Sequence, residues 1–191
     1  MSHSLSKIFI HAVWHIKTTS PQIQKEDRQN LYKYVGGILK QIECIPICIN
    51  GTGNHIHMFF VLSKNYSLVK VMSTVKIAIS RWLKKIGYHY KNFAWQSGYG
   101  AFSVCESISE KTINYIKNQE EHHKKKNFKE EYLQILKKHH MDFNTDYLFR
   151  DWYLLCGNHW NDGKRHHIGT CTFPGNRGHE RNHIHNRGAS Q

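Results

Sequence analysis

The order strand, helix, strand, strand, helix, strand predicts an α+β fold: a ferredoxin-like, RRM-like antiparallel sheet with helices on one face, followed by a C-terminal tyrosine-bearing helix. Three observations predict it. The chain opens on a densely apolar strand, a Gly-rich turn joins two extended runs near its middle, and two segments carry apolar residues at helical spacing.

Residues 6–18 set Ile8, Ile10, Ala12, Trp14 and Ile16 against Phe9, His11, Val13 and His15, so both faces are rich in large side chains, as in an interior strand. Over 26–42, Leu31, Tyr34, Val35, Ile38, Leu39 and Ile42 follow a 3.6-residue period. Gly36 and Gly37 weaken that helix by about 1 kcal/mol each without breaking its pattern. Residues 43–50 read as extended, and Gly51-Thr52-Gly53-Asn54 turns the chain into a second strand at 55–62, making a hairpin. The clearest helix spans 67–86, where Leu68, Val71, Met72, Val75, Ile79, Trp82, Leu83 and Ile86 form one stripe. Strand character returns at 94–105, interrupted at 97–100. Ser107-x-x-Glu110 then offers a capping box for a helix over 110–123 that carries Tyr115, and a last amphipathic segment covers 129–139. Alternation on the 55–62 strand sends Ile56, Met58, Phe60 and Leu62 into the helix-covered core, leaving His55 and His57 on the opposite, open face.

At 191 residues the chain has room for one domain, taken as 1–152, and an appendage, 153–191, whose Gly, Asn, His and Arg composition lacks periodicity and predicts a disordered basic tail. Lys and Arg outnumber Asp and Glu 27 to 14, and with 13 % aromatic residues this favours a nucleic-acid partner over a membrane surface. Apolar runs are short and broken, so no membrane span or signal peptide is expected and the predicted location is the cytoplasm. Five cysteines without a CxxC pair fit a reducing compartment and buried thiols better than a disulfide framework. Cys156-Gly157-Asn158-His159 with Cys171 is too irregular for a structural zinc site, and a solvated polar tail is the better reading.

His55-Ile56-His57 carries the chemistry. Two residues apart on a strand, the imidazoles project to one side and can share a cation. Tyr115 and Gln119, four apart on a helix, present a phenol and an amide oxygen together. A histidine-triad hydrolase would place a third His at the next same-face position, where this chain has Phe59. Taken alone, Tyr115 reads as a packed helix tyrosine.

His55-Ile56-His57, the run Trp95-Gln96-Ser97-Gly98-Tyr99-Gly100-Ala101-Phe102-Ser103-Val104 and the run Tyr115-Ile116-Lys117-Asn118-Gln119-Glu120-Glu121-His122-His123 together resemble the single-tyrosine HUH transposases of small bacterial insertion sequences, including the transposases associated with repetitive extragenic palindromes. The resemblance extends over residues 5–152. It implies a transposase acting on single-stranded DNA hairpins at element ends, with His55 and His57 as metal ligands, Gln119 as the third and Tyr115 as the nucleophile forming a 5′-phosphotyrosine. It also implies Mg²⁺ or Mn²⁺ and an obligate homodimer, the tyrosine helix of one subunit commonly completing the site of the other. By ligand type alone, Zn²⁺ and other divalents fit as well.

For DNA contact, Lys84, Lys85, Lys91, Lys124, Lys125 and Lys126 are candidate phosphate partners and Trp95, Tyr99 and Phe102 candidate stacking platforms. Two rivals share the pattern. One is a domesticated hairpin-binding protein that no longer cuts; the other is a relaxase-type HUH endonuclease, disfavoured by the short chain.

Overall fold

In the computed structural model, which describes residues 5–149, four strands form one antiparallel sheet in the order β2-β3-β1-β4. The strands are β1 Phe9–His15, β2 Ile45–Gly51, β3 His55–Val61 and β4 Gly100–Val104. β1 lies between β3 and β4, which explains why both of its faces carry bulky residues. Helices α1 (Lys25–Gln41) and α2 (Leu68–Ile86) supply the long apolar stripes, and four shorter helices follow: α3 Ser109–Lys117, α4 Gln119–His123, α5 Phe128–Lys138 and α6 Thr145–Leu148. The predicted α+β architecture is present, with its four strands and two long helices in the expected order. The expected tail from 153 onward, and the Cys156, His159 and Cys171 grouping, lie outside the described residues.

One face of the sheet holds the main core. Ile10, Ala12 and Trp14 from β1 and Ile56, Met58 and Phe60 from β3 pack with Leu31, Val35 and Leu39 of α1 and Val71, Val75, Ile79 and Leu83 of α2. Each fully buried aliphatic or aromatic side chain here contributes about 1.5–3 kcal/mol of transfer free energy. Ser67 caps α2 by accepting from the Lys70 amide at 3.3 Å, and Asn127 caps α5 by accepting from the Glu130 amide at 2.9 Å.

The second face is not open, which corrects the sequence expectation. A smaller cluster of Val13, Phe102, Phe128, Tyr132, Leu136 and Phe149 buries α5 against it, and α3 packs along β2. The apolar stripe of α5 is the physical cause, since Phe128, Tyr132 and Leu136 recur at helical spacing and need a surface to cover. Gly100 makes the close approach possible: a Cβ there would meet the Tyr132 hydroxyl at 2.8 Å.

Two local expectations also change. The Ser107-x-x-Glu110 capping box does not form, because residues 106–108 wind as a 3-10 turn, Ile108 stands at the N-cap of α3, and the Ser107 hydroxyl donates to Cys105 Sγ at 3.2 Å. The helix expected over 110–123 breaks at Asn118 into α3 and α4. Asn50 of β2 explains the break: its side-chain amide donates to the carbonyls of Ile116 at 2.8 Å and Lys117 at 2.9 Å, satisfying helix-end acceptors that continued helix would have used. Of the described cysteines, Cys44 is buried, Cys48 half-buried and Cys105 exposed, so burial accounts for only part of the set.

Candidate active site

β3 delivers His55 and His57 to the second face, where both are fully buried beneath α3, α4 and α5. Their outer ring nitrogens are tied from behind. Nδ1 of His55 donates to Asn54 Oδ1 at 2.7 Å and lies 2.9 Å from the Thr52 hydroxyl, so the Gly-rich turn that forms the hairpin also orients the first imidazole. Nδ1 of His57 lies 2.9 Å from Nε2 of His11, which reaches across from β1. Both Nε2 atoms then face the same small volume.

Into that volume comes Glu131. Its carboxylate oxygens lie 3.7 Å from His55 Nε2 and 3.6 Å from His57 Nε2, and the three residues bring ligand atoms within 4.8 Å of one another. His57 Nε2 is buried with no hydrogen-bond partner among the described residues. Facing His55 Nε2 at 3.1 Å is the Gln119 side-chain oxygen, held in that orientation because the Gln119 amide nitrogen donates to Glu131 at 3.0 Å. With Nδ1–H given to Asn54, that contact sets two lone-pair acceptors against each other. An orphaned imidazole nitrogen, opposed acceptors and a buried carboxylate make a donor set that fits a divalent cation.

Tyr115 hangs from α3 over the same group. Its ring meets His57 edge-on with centroids 5.7 Å apart, and its hydroxyl donates to Glu131. Burial first, then the neighbouring carboxylate, hold the phenol well above its ordinary range. Burial alone pushes the Glu131 carboxyl up, but the contacts from His123, His57 and His55 outweigh it and bring the carboxyl below the usual range. His123 makes the shortest of these, with Nε2 at 2.8 Å from Glu131, while its Nδ1 faces the Lys126 carbonyl at 2.9 Å. Burial holds His55 below the ordinary imidazole value.

All four residues expected at the centre, His55, His57, Tyr115 and Gln119, therefore converge, and they do so within a single chain. Sequence reasoning missed Glu131, His123 and His11. A signal for Glu131 exists in the sequence: it falls on the stripe Phe128, Tyr132, Leu136, where a solvated acid has no place.

The expected DNA contacts do not gather. Phe102 is 3 % exposed and stacks on His139 with centroids 4.5 Å apart, so it is core and closed to bases. Trp95 packs against the main core and its indole N–H donates to the Lys76 carbonyl at 3.1 Å; Tyr99 packs beside it. Lys84, Lys85, Lys91, Lys124 and Lys125 are exposed and Lys126 is half-buried. Lys84 and Lys85 end the helix on the core face of the sheet, whereas residues 124–126 precede the helix on its other face.

A histidine pair and a phenol gathered on one face of a four-strand antiparallel sheet agree with the class of DNA-processing transposases suggested by the motifs. Over residues 4–119, more than half of its 191, the chain matches the family described as "Transposase IS200 like", and it belongs to that family. Two solved structures are similar to it. One is a candidate transposase of Deinococcus radiodurans R1, 17 % identical with a TM-score of 0.49, the match covering 62 % of this chain and 95 % of that one. The other is a REP-associated tyrosine transposase bound to a REP hairpin, 12 % identical with a TM-score of 0.49, covering 64 % of this chain and 74 % of that one. Among curated proteins none matches the chain.

Proposed function

We propose that the chain is a transposase that cuts and rejoins single-stranded DNA at element ends through a covalent 5′-phosphotyrosine on Tyr115, with Mg²⁺ or Mn²⁺ assisting. The observation that carries this reading is the meeting of the half-buried Tyr115 hydroxyl with a buried carboxylate flanked by two buried strand imidazoles. A cation held by His55, His57 and Glu131, with the Gln119 oxygen beside them, would offset charge developing on the phosphate and relieve the carboxylate's hold on the phenol.

The chain's own groups then have defined work. The Tyr115 oxygen bonds to phosphorus as its proton passes to water, the bond from phosphorus to the 3′-oxygen of the upstream nucleotide breaks, and that oxygen takes a proton from water and leaves as a hydroxyl. The new phosphotyrosine keeps the ester's energy. A 3′-hydroxyl can therefore reverse the step on another strand without ATP. His123 steadies Glu131, and Asn54 and His11 hold the imidazoles. The net charge of +13 supports a polyanionic substrate, and the family resemblance supports hairpin recognition and a homodimer.

The test uses a labelled single-stranded oligonucleotide carrying the element end, incubated with protein and Mn²⁺. A denaturant-stable protein–DNA adduct is expected from the wild type and none from Tyr115→Phe. Adduct formation that survives the substitution would remove Tyr115 as nucleophile. Salt-sensitive hairpin binding with no adduct from either protein would favour the non-cutting rival.

A further inference from the structure

We infer that His11 is a positioning residue that sets the tautomer of His57, accepting the Nδ1 proton so that the Nε2 lone pair is left facing Glu131. His11 is buried in β1 behind His57, and its ring also meets that of Tyr115 edge-on with centroids 6.2 Å apart. Its Nε2 lies 2.9 Å from His57 Nδ1, and the two rings stack with centroids 5.2 Å apart at 22°. One proton lies between those two nitrogens, and its ownership decides what His57 can do. If His11 donated it, His57 would carry its own proton on Nε2, where the nearest Glu131 oxygen is 3.6 Å away and no hydrogen bond is made. An N–H there would occupy the face that a cation needs. If His57 donates, its Nε2 is a lone pair aimed at the carboxylate cluster, and the structure is satisfied once a cation sits there.

The comparison with His55 strengthens the assignment. Asn54 Oδ1, an acceptor only, plays the same part at His55 Nδ1 at 2.7 Å. Each imidazole of the pair thus has an acceptor behind it and an Nε2 in front, but the chain uses an amide oxygen for one and a third histidine for the other. Ring partners of this kind fix ligand orientation, and their loss typically weakens metal binding about 10–100-fold.

The inference rests on the reading of His57 as a cation ligand, and its test separates the two. Long-range ¹H–¹⁵N spectra of the metal-free, full-length protein, with His57 identified by its absence in His57→Asn, should report the Nδ1–H tautomer. An Nε2–H tautomer in the wild type would overturn the inference. Mn²⁺ titration should then show affinity lowered about 10–100-fold in His11→Phe and largely restored in His11→Gln, whose amide oxygen can accept the same proton. Wild-type affinity in His11→Phe would also overturn it. A wild type that takes up no Mn²⁺ defeats the cation reading instead, and the tautomer spectrum still decides what His11 does. If His11→Phe does not fold, the His11→Gln titration and the wild-type spectrum carry the test.

Discussion

A carboxylate on the apolar stripe of a helix costs several kcal/mol unless charge or hydrogen bonds compensate it, and Glu131, 1 % exposed, is compensated by five side chains. His123, Gln119 and Tyr115 donate to it, and the two strand imidazoles flank it. Such a residue is kept for what it holds. Glu131→Gln should lower Mn²⁺ affinity by at least about tenfold. It should also move the Tyr115 phenol back toward its ordinary range, because the carboxylate is the second cause of its elevation after burial. Both are measurable, by calorimetric titration and by ultraviolet titration against Tyr115→Phe. Unchanged Mn²⁺ affinity would take Glu131 out of the ligand set. The histidine pair was legible in the sequence because strand alternation places both imidazoles on one face. Glu131 left only its place on the apolar stripe of α5 as a signal, since its burial depends on which surface that helix finds.

At the scale of elements, the site depends on α5 lying flat on the sheet, and Gly100 permits that. A methyl group there would meet the Tyr132 ring at 2.9 Å as well as its hydroxyl, so the helix must lift or the ring must turn. Gly100→Ala is expected to destabilise the protein by about 1–3 kcal/mol and to raise amide exchange within α5 while leaving α1 and α2 protected. Equal exchange throughout would show that α5 is not a separate layer. Helix and strand order could be read from periodicity because α1, α2, β1 and β3 each bury a long regular pattern. The break at Asn118 could not. It is imposed by Asn50, a residue 68 positions earlier on another strand, through two hydrogen bonds that no local pattern announces.

For the whole molecule, burying several histidines ties stability to pH. His11 and His55 are held below the ordinary imidazole value, chiefly by burial and then by His57. The unfolded chain therefore takes up protons near pH 6.5 that the folded chain refuses, so stability is present above that pH and lost below it. Each group adds a slope of up to about 1.4 kcal/mol per pH unit. Urea unfolding of metal-free protein should show stability level from pH 8 to 7 and falling steeply from 6.5 to 5. A flat profile over that lower range would mean these rings are not buried neutral. The same enclosure marks where sequence reading stopped: an open catalytic face was the natural expectation for polar residues on a strand, but α3 and α5 close over it. No described helix is long and apolar enough to cross a membrane.

In the proposed function the strand imidazoles, the Glu131 carboxylate and the Tyr115 phenol would meet a cation in one small volume. Anomalous diffraction from Mn²⁺-soaked crystals tests it most directly. A single strong peak bonded to His55 Nε2, His57 Nε2 and a Glu131 oxygen, with the Tyr115 hydroxyl beside it, is the predicted result; well-ordered density for these residues with no peak among them, or a peak held by other groups, would contradict it.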